Sequence, residues 1–263
     1  MRKDKKALTS LIAPALTLIL LGGSLALSQD DITEEFDDTL DVLSHMSEKI
    51  SVDTLSLKNF RCLESITIEV TDKKTNAPQH YVYSSQYEVT RKLKPKSSEH
   101  IGYNETRNPG SGESTQPELV SFPLIDKPFT GEVIKTFAFE NRLFNNYKKL
   151  RDETIAGQKC LVVGFTTAKD SSTLSLLLQG ASIPLRQQGM IWVDEKSLEL
   201  VRLAATLKKV PKGIQAYDYV VEFKPQRLFG RSMALSYQIE IHSETKEKKT
   251  QITQSYSNFR EMP

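Results

Sequence analysis

The stretch GMIWVDEKSLELVRLAATLK, residues 189–208, decides the fold class of this chain. Two runs rich in apolar residues, Gly189–Val193 and Leu200–Lys208, flank the polar turn Asp194-Glu195-Lys196-Ser197. Such an arrangement predicts a β-hairpin. Three further strands are expected after it, at Ile214–Pro225, Gln226–Ser243 and Thr250–Arg260. This half of the chain therefore predicts an antiparallel meander.

The segment that starts at Asn59 has the same two-residue period. Cys62, Ile66, Ile68 and Val70 alternate with polar residues, which is typical of a half-buried strand. A second strand is expected from about His80 to Leu93, with four residues on one face: Tyr81, Tyr83, Tyr87 and Val89. The turn between the two strands is short enough for them to pair as a hairpin. A short strand at Ile101–Glu105 is expected next.

The middle of the chain is less regular. Residues 107–128 contain four prolines and two glycines, which predicts a loop that is mobile in its first half. Phe129–Asn141 favours a short helix, although a strand is possible, and Ser172–Leu178 favours a short helix or a lid-like loop. Strands are expected near Arg142–Lys149, Arg151–Ile155 and Gln158–Thr167, with a tight turn at Ala156-Gly157.

Only the segment before these strands has a strong helical period. From Asp30 to about Ser51, apolar residues recur every three or four positions, and acidic residues crowd the first turns. One helix followed by about ten strands predicts a mainly β (α+β) protein. We expect one large antiparallel sheet, closed or nearly closed into a barrel, in a single domain over residues 29–263.

Residues 1–28 have the three-part layout of a secretory signal peptide. Basic residues at 2–6 precede a mostly apolar run that ends at Leu21, and small residues follow. Cleavage is expected after Ala26 or Ser28. No cysteine lies near these positions, so lipid attachment there is not available. We therefore expect a periplasmic or secreted protein without stable membrane insertion.

The formal charge and the two cysteines bear on partners and on stability. Residues 1–28 contain four basic residues and one acidic residue, so their removal changes the net charge from +2 to −1. A near-neutral domain argues against nucleic acid as a partner. In an oxidising compartment, Cys62 and Cys160 are candidates for a disulfide, with two buried free thiols as the alternative.

No pattern of catalytic or metal-binding residues stands out. The four histidines are scattered, and neither cysteine lies in a C-x-x-C pattern, so neither a metal nor another cofactor is expected. Clusters such as Lys246, Lys248 and Lys249 are expected to keep hairpin ends soluble, and a membrane-surface role is the alternative. An enzyme is not expected, because no two carboxylates are marked as a catalytic pair.

Several local motifs resemble a known group of proteins. Asn59-Phe60-Arg61-Cys62 resembles the opening of uncharacterised secreted proteins common among Acidobacteria. Three later segments resemble both that group and the wider lipoprotein-carrier superfamily of the LolA and LolB type: Gly157–Phe165, Gly189–Arg202 and Tyr256–Arg260. This resemblance implies a half-open β-barrel, which is a curved antiparallel sheet around an apolar cavity with helices as a lid.

The resemblance also implies a function. Carrier members of that superfamily shelter acyl chains, so a lipid or an acylated protein is the expected ligand. The candidate cavity residues are Tyr83, Phe137, Phe165, Leu176, Leu177 and Trp192. For Trp192 the favoured interpretation is a core aromatic residue at the hairpin. The alternatives are a cell-envelope interaction module with a packed interior and, more weakly, a hydrolase with dispersed active-site residues.

Overall fold

The computed structural model describes residues 29–92, 102–109, 119–168, 174–179 and 181–263. Ten antiparallel strands form one curved sheet in the order β3-β2-β1-β12-β11-β10-β9-β8-β5-β4. These strands are β1 (Phe60–Asp72), β2 (Pro78–Lys92), β3 (Gly102–Pro109), β4 (Asn145–Ile155), β5 (Gln158–Thr167), β8 (Gln187–Asp194), β9 (Leu200–Leu207), β10 (Ile214–Leu228), β11 (Arg231–Thr245) and β12 (Lys248–Glu261). The two remaining strands, β6 (Ser175–Leu178) and β7 (Ala181–Pro184), form a separate hairpin.

The sheet is open, as a half-open barrel requires. β3 and β4 lie at its two edges and do not pair with each other. Along β4, Lys148 is exposed and Arg151 pairs with Glu153. Such charged side chains oppose the pairing of an edge strand with another chain. The ten strands of this open sheet confirm the mainly β fold that the two-residue periods predicted.

The alternation of apolar and polar residues fixes the orientation of each strand. In β1 every second residue from Phe60 to Val70 is buried, and the residues between them are exposed. β1 pairs with β2 as a hairpin and with β12 on its other side. The turn at Ala156-Gly157 has φ values of 47° and 85°, the left-handed conformations that a tight two-residue hairpin turn needs.

The helix and the insertions differ in detail from the predictions. Helix α1 spans Gln29–Ser56, which begins one residue before and ends five residues after the expected range, while α2 has only four residues, Glu132–Lys135. The strands expected on either side of Leu150 are one strand, β4, with an irregularity in its pairing.

The Ser172–Leu178 prediction of a helix or lid-like loop is wrong over Ser175–Leu178, which form β6. Leu176 and Leu178 are buried while Ser175 and Leu177 are exposed, a two-residue period that suits a strand. Gln179, with φ of 49°, turns the chain into β7.

Some predictions fall on residues outside the described ranges. These are the signal peptide at 1–28 and the central part of the expected loop, residues 110–118. Of that loop's ends, residues 107–109 continue β3, and residues 119–128 pack on the sheet. None of the helices in the described ranges has the length and apolar character that a bilayer span requires.

Candidate functional site: the covered face of the sheet

One face of the sheet is covered by other parts of the chain, and we call it the covered face. Leu43 and Met46 of α1 and Leu57, directly after α1, belong to its core, as do Leu176 and Leu178 of β6. Phe129, Val133 and Phe137 complete the cover from the segment between β3 and β4. The opposite face, which we call the open face, has a small buried cluster made of strand residues only: Cys160, Val162, Trp192 and Val201.

Aromatic rings fill the covered face beside β1. Phe129 lies 5.0 Å from the ring of Tyr256 and 5.4 Å from that of Phe60, both edge to face. Tyr87 and Phe259 contact the same ring at 5.7 and 5.8 Å. Edge-to-face contacts of this kind each add about 0.5–1.5 kcal/mol beyond area burial. Phe129 is therefore the centre of the packed interior.

Residues 122–130, which we call the strap, are tied to the sheet along their length. The Tyr217 hydroxyl donates to the carbonyl of Pro123 at 2.9 Å, and the Ser236 hydroxyl donates to that of Pro128 at 2.7 Å. The Gln254 amide bonds both the N–H and the carbonyl of Ile125, at 3.2 and 3.3 Å. These side chains satisfy backbone groups that would otherwise be buried without partners.

A buried ion pair lies under the strap. The Glu64 side chain is 0% exposed and accepts a hydrogen bond from Nε of Arg107 at 2.8 Å. The hydroxyls of Ser85 and Tyr256 donate to the same carboxylate at 2.8 and 2.9 Å. Arg107 also reaches Asp126 of the strap at 3.3 Å. Glu64 therefore joins β1 to residues of β2, β3 and β12, and Arg107 links this group to the strap.

A second carboxylate, Glu105 of β3, bonds the end of the strap. It accepts hydrogen bonds from the backbone N–H and the hydroxyl of Thr130, at 2.9 and 2.5 Å. Burial raises the pKa of Glu105 despite these bonds, because desolvation penalises the charged form. The nearby Cys62 thiol also has a raised pKa, first from burial and then from Glu64 and Glu105. A thiol in that state is unreactive.

A cavity of about 40 Å³ lies between α1 and the covered face. Its wall is mostly apolar and comes from both layers: Met46, Ile50, Leu57, Phe129, Ile134, Leu198, Leu200, Phe223, Ala234 and Leu235. The charged residues at the cavity are Lys49, Asp53 and Glu199. The volume is enough for one or a few waters and well below the roughly 300 Å³ of a small-molecule pocket.

Polar contacts attach the second half of α1 to the sheet. Lys49 lies 3.1 Å from Glu199 in the β8–β9 turn, and Asp53 lies 3.1 Å from Arg231 at the start of β11. The Tyr103 hydroxyl donates to the carbonyl of Thr54 at 2.6 Å. Exposed ion pairs of this type contribute about 1 kcal/mol or less each. The apolar side chains of α1 therefore supply most of its attachment.

A second crevice, of about 170 Å³, lies between the strap, α2 and the β6–β7 hairpin. Leu176 and Leu177 line it together with backbone and side chains of residues 125–127 and 131–133. Its wall mixes apolar groups with the charged residues Asp126, Lys127 and Glu132. It is therefore less suited to a purely apolar ligand than the cavity under α1.

Four of the six predicted cavity residues lie on the covered face. Phe137 and Phe165 are buried and contact each other edge to face at 4.9 Å. Leu176 is buried in the same core, and Tyr83 is half-buried against it. Leu177 is 47% exposed at the second crevice. None of them lines the cavity under α1.

The interpretation of Trp192 as a cavity wall is wrong. Its neighbours Ile191 and Val193 lie in the covered core, so the pleat directs Trp192 to the open face. There its indole N–H donates to Glu153 at 2.7 Å, and the Arg202 guanidinium lies over its ring at 5.7 Å. Arg202 pairs with Glu222 across the strands. Trp192 is a core residue of the open face.

The predicted Cys62–Cys160 disulfide is also wrong. Both cysteines are buried free thiols. β1 and β5 are separated by five other strands, which corresponds to roughly 29 Å along the sheet. The two side chains also belong to different clusters, one on each face. A disulfide requires Cα atoms within about 7 Å, so these two positions cannot be bridged.

The polar residues under the strap were not predicted, although one sequence signal was available. Glu64 has the same parity in β1 as Cys62 and Ile66, so the period places its carboxylate on the buried face. Gln254 carries the same signal, because it alternates with the buried residues Ile252 and Tyr256 in β12. Arg107 has no such signal, because β3 lacks a clear apolar alternation. Among the described residues, no group of three or more His, Cys, Asp or Glu could hold a metal ion.

Comparisons with known proteins give only weak likenesses. No family model and no curated protein matches the chain. Among solved structures, a LolA superfamily protein from Nitrosomonas europaea is 14% identical, with a TM-score of 0.35, and the match covers 85% of this chain and 94% of the other. A DUF1329 family protein from Desulfovibrio piger is 12% identical, with a TM-score of 0.40 and coverages of 85% and 92%.

A third match is a putative outer membrane lipoprotein-sorting protein domain from Vibrio parahaemolyticus. It is 10% identical, with a TM-score of 0.37 and coverages of 82% and 91%. We derive no function from these likenesses, because the identities and TM-scores are low. The resemblance to secreted acidobacterial proteins stays a prediction.

Proposed function

We propose that this protein is an exported, carrier-like binding protein that shelters an apolar, acyl-chain-like ligand between helix α1 and the covered face. The observation that carries the proposal is the apolar cavity at the boundary of these two layers. In the proposal, residues 1–28 are a cleaved signal peptide and residues 29–263 form the single binding domain. The protein is proposed to act without a catalytic centre.

The cavity volume requires α1 to move when a ligand binds. Three buried side chains, those of Leu43 and Met46 in α1 and of Leu57 directly after it, attach this segment to the core, and each stabilises it by about 1.5–3 kcal/mol. A ligand that displaces them recovers about 0.8 kcal/mol for each methylene group that it buries. About six to eleven methylene groups are therefore needed to offset the movement. The expected ligand is a long acyl chain and not a short one.

A fluorescent palmitate derivative tests this proposal, with a fluorescent butyrate derivative as the short-chain control. Ile134→Trp enlarges a half-buried side chain in the cavity wall, and overpacking of this kind costs about 1–3 kcal/mol. We expect Ile134→Trp to weaken palmitate binding about tenfold. The matched variant Leu143→Trp changes a side chain that is 81% exposed and should leave binding unchanged. Equal effects of the two variants would refute the site.

The packed aromatic interior supports a second candidate, a cell-envelope interaction module without a ligand. Phe129, Tyr87 and Tyr256 fill the space beside β1 that a wider cavity would occupy. This candidate predicts that the folded protein binds neither fluorescent probe. Palmitate binding that Ile134→Trp weakens would exclude it.

A further inference from the structure

One end of the sheet carries an excess of lysine. We call it the basic end and define it by residues 72–74, 208–212 and 244–249, in the β1–β2 turn, the β9–β10 loop and the β11–β12 turn. These ranges contain eight lysines and only three carboxylates. The lysines are Lys73, Lys74, Lys208, Lys209, Lys212, Lys246, Lys248 and Lys249, and the carboxylates are Asp72, Glu244 and Glu247.

Strand pairing brings these three connections to one edge of the molecule. Asp72 of β1 pairs with Lys248 of β12, and Ile214 of β10 pairs with Thr245 of β11. The two turns also touch, since the backbone N–H of Lys73 donates to the carbonyl of Glu247 at 2.8 Å. The row crosses six neighbouring strands, from β2 to β9, and is therefore roughly 24 Å long.

Most of the positive charge at this end is not neutralised locally. Lys73 lies 2.9 Å and Lys249 lies 3.9 Å from the same residue, Glu244. Lys208, Lys209, Lys212, Lys246 and Lys248 are exposed, and none of them forms a salt bridge within the described ranges. Since the chain without residues 1–28 has a net charge of −1, the positive charge is concentrated at the basic end.

We propose that the basic end docks the protein on an anionic lipid surface. The lysines come from three separate connections and line neither cavity, so they present an extended row of charge and not a pocket for one group. Flexible, hydrated ammonium groups suit such a diffuse surface, whereas the planar guanidinium of Arg suits paired recognition of single carboxylates or phosphates. Each lysine near an anionic bilayer strengthens binding about fivefold.

Charge reversal tests the docking surface. The assay is flotation with vesicles of phosphatidylcholine that contain about one quarter phosphatidylglycerol, with pure phosphatidylcholine vesicles as the neutral control. We expect binding only to the anionic vesicles, and we expect added salt to weaken it. The variant K208E/K209E/K212E should reduce the fraction bound at least about tenfold, since three attractive charges become repulsive.

The control variant has the same change in net charge at other positions. K148E/K159E/K196E reverses three exposed lysines in β4, β5 and the β8–β9 turn, away from the basic end. This control variant should retain most of the binding to anionic vesicles. Thermal unfolding of the unmodified protein and of both variants is compared, so that a loss of binding is not mistaken for a loss of folding. An equal loss in both variants, binding to neutral vesicles, or binding to soluble polyglutamate but not to vesicles would each overturn the proposal.

Docking on an anionic lipid surface and binding of an apolar ligand are independent of each other. Vesicle binding through the basic end needs no acyl-chain cavity, and palmitate binding under α1 needs no lysine of the basic end. K208E/K209E/K212E should therefore bind palmitate normally, and Ile134→Trp should bind vesicles normally. Failure of one proposal leaves the other unaffected.

Discussion

The two faces of the sheet are buried in different ways. The covered face is buried by α1, the strap, α2 and the β6–β7 hairpin. Apolar residues from each of these segments belong to its core. The open face is buried only around Trp192, by side chains of neighbouring strands. Its polar partners, Glu153 and Arg202, are partly exposed.

This difference shows where the chain can change shape. On the open face, a displaced side chain meets solvent, and no other segment moves with it. On the covered face, apolar contacts and buried hydrogen bonds join separate segments, so a ligand can enter only if a segment moves. The strap is fixed to five strands by side-chain hydrogen bonds. α1 is attached mostly by apolar contacts and is therefore the segment that we expect to move.

The largest effect is expected at the centre of the covered face. Phe129→Ala removes a ring that contacts four other aromatic rings, and it should lower the free energy of unfolding by about 4 kcal/mol. Phe139→Ala is the control, because Phe139 is 43% exposed. Urea denaturation measures both changes. A loss below about 1 kcal/mol for Phe129→Ala would show that the covered interior is not tightly packed.

The ion pairs of the two faces should also differ. Arg107→Leu leaves the buried Glu64 carboxylate without its cation and should cost about 3 kcal/mol. Arg202→Leu on the open face should cost about 1 kcal/mol or less, because its side chain is 39% exposed. Chemical denaturation of the two variants gives the comparison. Equal losses would contradict the difference in burial.

A smaller effect is expected from the hydrogen bond of the open-face tryptophan. Trp192→Phe keeps an aromatic ring in the cluster but removes the N–H that donates to Glu153 at 2.7 Å. Loss of this hydrogen bond should lower the free energy of unfolding by about 1 kcal/mol. Palmitate binding should not change, since Trp192 lies on the other face. A loss of palmitate binding in this variant would indicate that Trp192 does contact the ligand.

The smallest effects are the pH dependences, which should have opposite signs on the two faces. Burial raises the folded-state pKa of Glu105 above its ordinary value of 4.5, so its contribution to stability is present below pH 4.5 and is lost as the pH rises through the raised pKa. The Trp192 hydrogen bond lowers the pKa of Glu153, so its contribution is present above pH 4.5 and is lost as the pH falls.

Glu105→Gln and Glu153→Gln separate these two effects. Unfolding measured from about pH 3 to pH 8 should show that each variant loses the slope of its own carboxylate. For Glu153 the change should stay below about 1 kcal/mol, because its side chain is partly exposed. Slopes of the same sign would show that the carboxylates of the two faces have similar environments.

Local patterns were enough to predict most of the sheet. The two-residue periods of β1 and β2 and the turn of the β8–β9 hairpin each depend on adjacent residues, and the structure confirms them. β6 was wrongly predicted because four residues rich in leucine suit a helix as well as a strand. The pairing of β1 with β12 joins residues about 190 positions apart, and no local pattern shows it.

The candidate site was less predictable than the fold. The cavity residues come from α1, the strap, α2, the β8–β9 turn and the three strands β9, β10 and β11, so their meeting depends on the complete topology. A residue's face follows from its parity in a strand, and this rule could have placed Trp192 opposite Ile191. Which of the two faces is covered depends on where α1 and the strap pack, and the period alone does not contain that information.

Native mass spectrometry with lipid extraction tests the central claim most directly. The protein is purified from its cellular source without denaturants, its intact mass is measured, and the released material is analysed for acyl chains. Our account predicts a folded complex with a long-chain lipid, in which the bound fraction is strongly reduced in Ile134→Trp and unchanged in Leu143→Trp. A folded, ligand-free protein that also fails to bind palmitate would contradict the account and favour the packed interaction module.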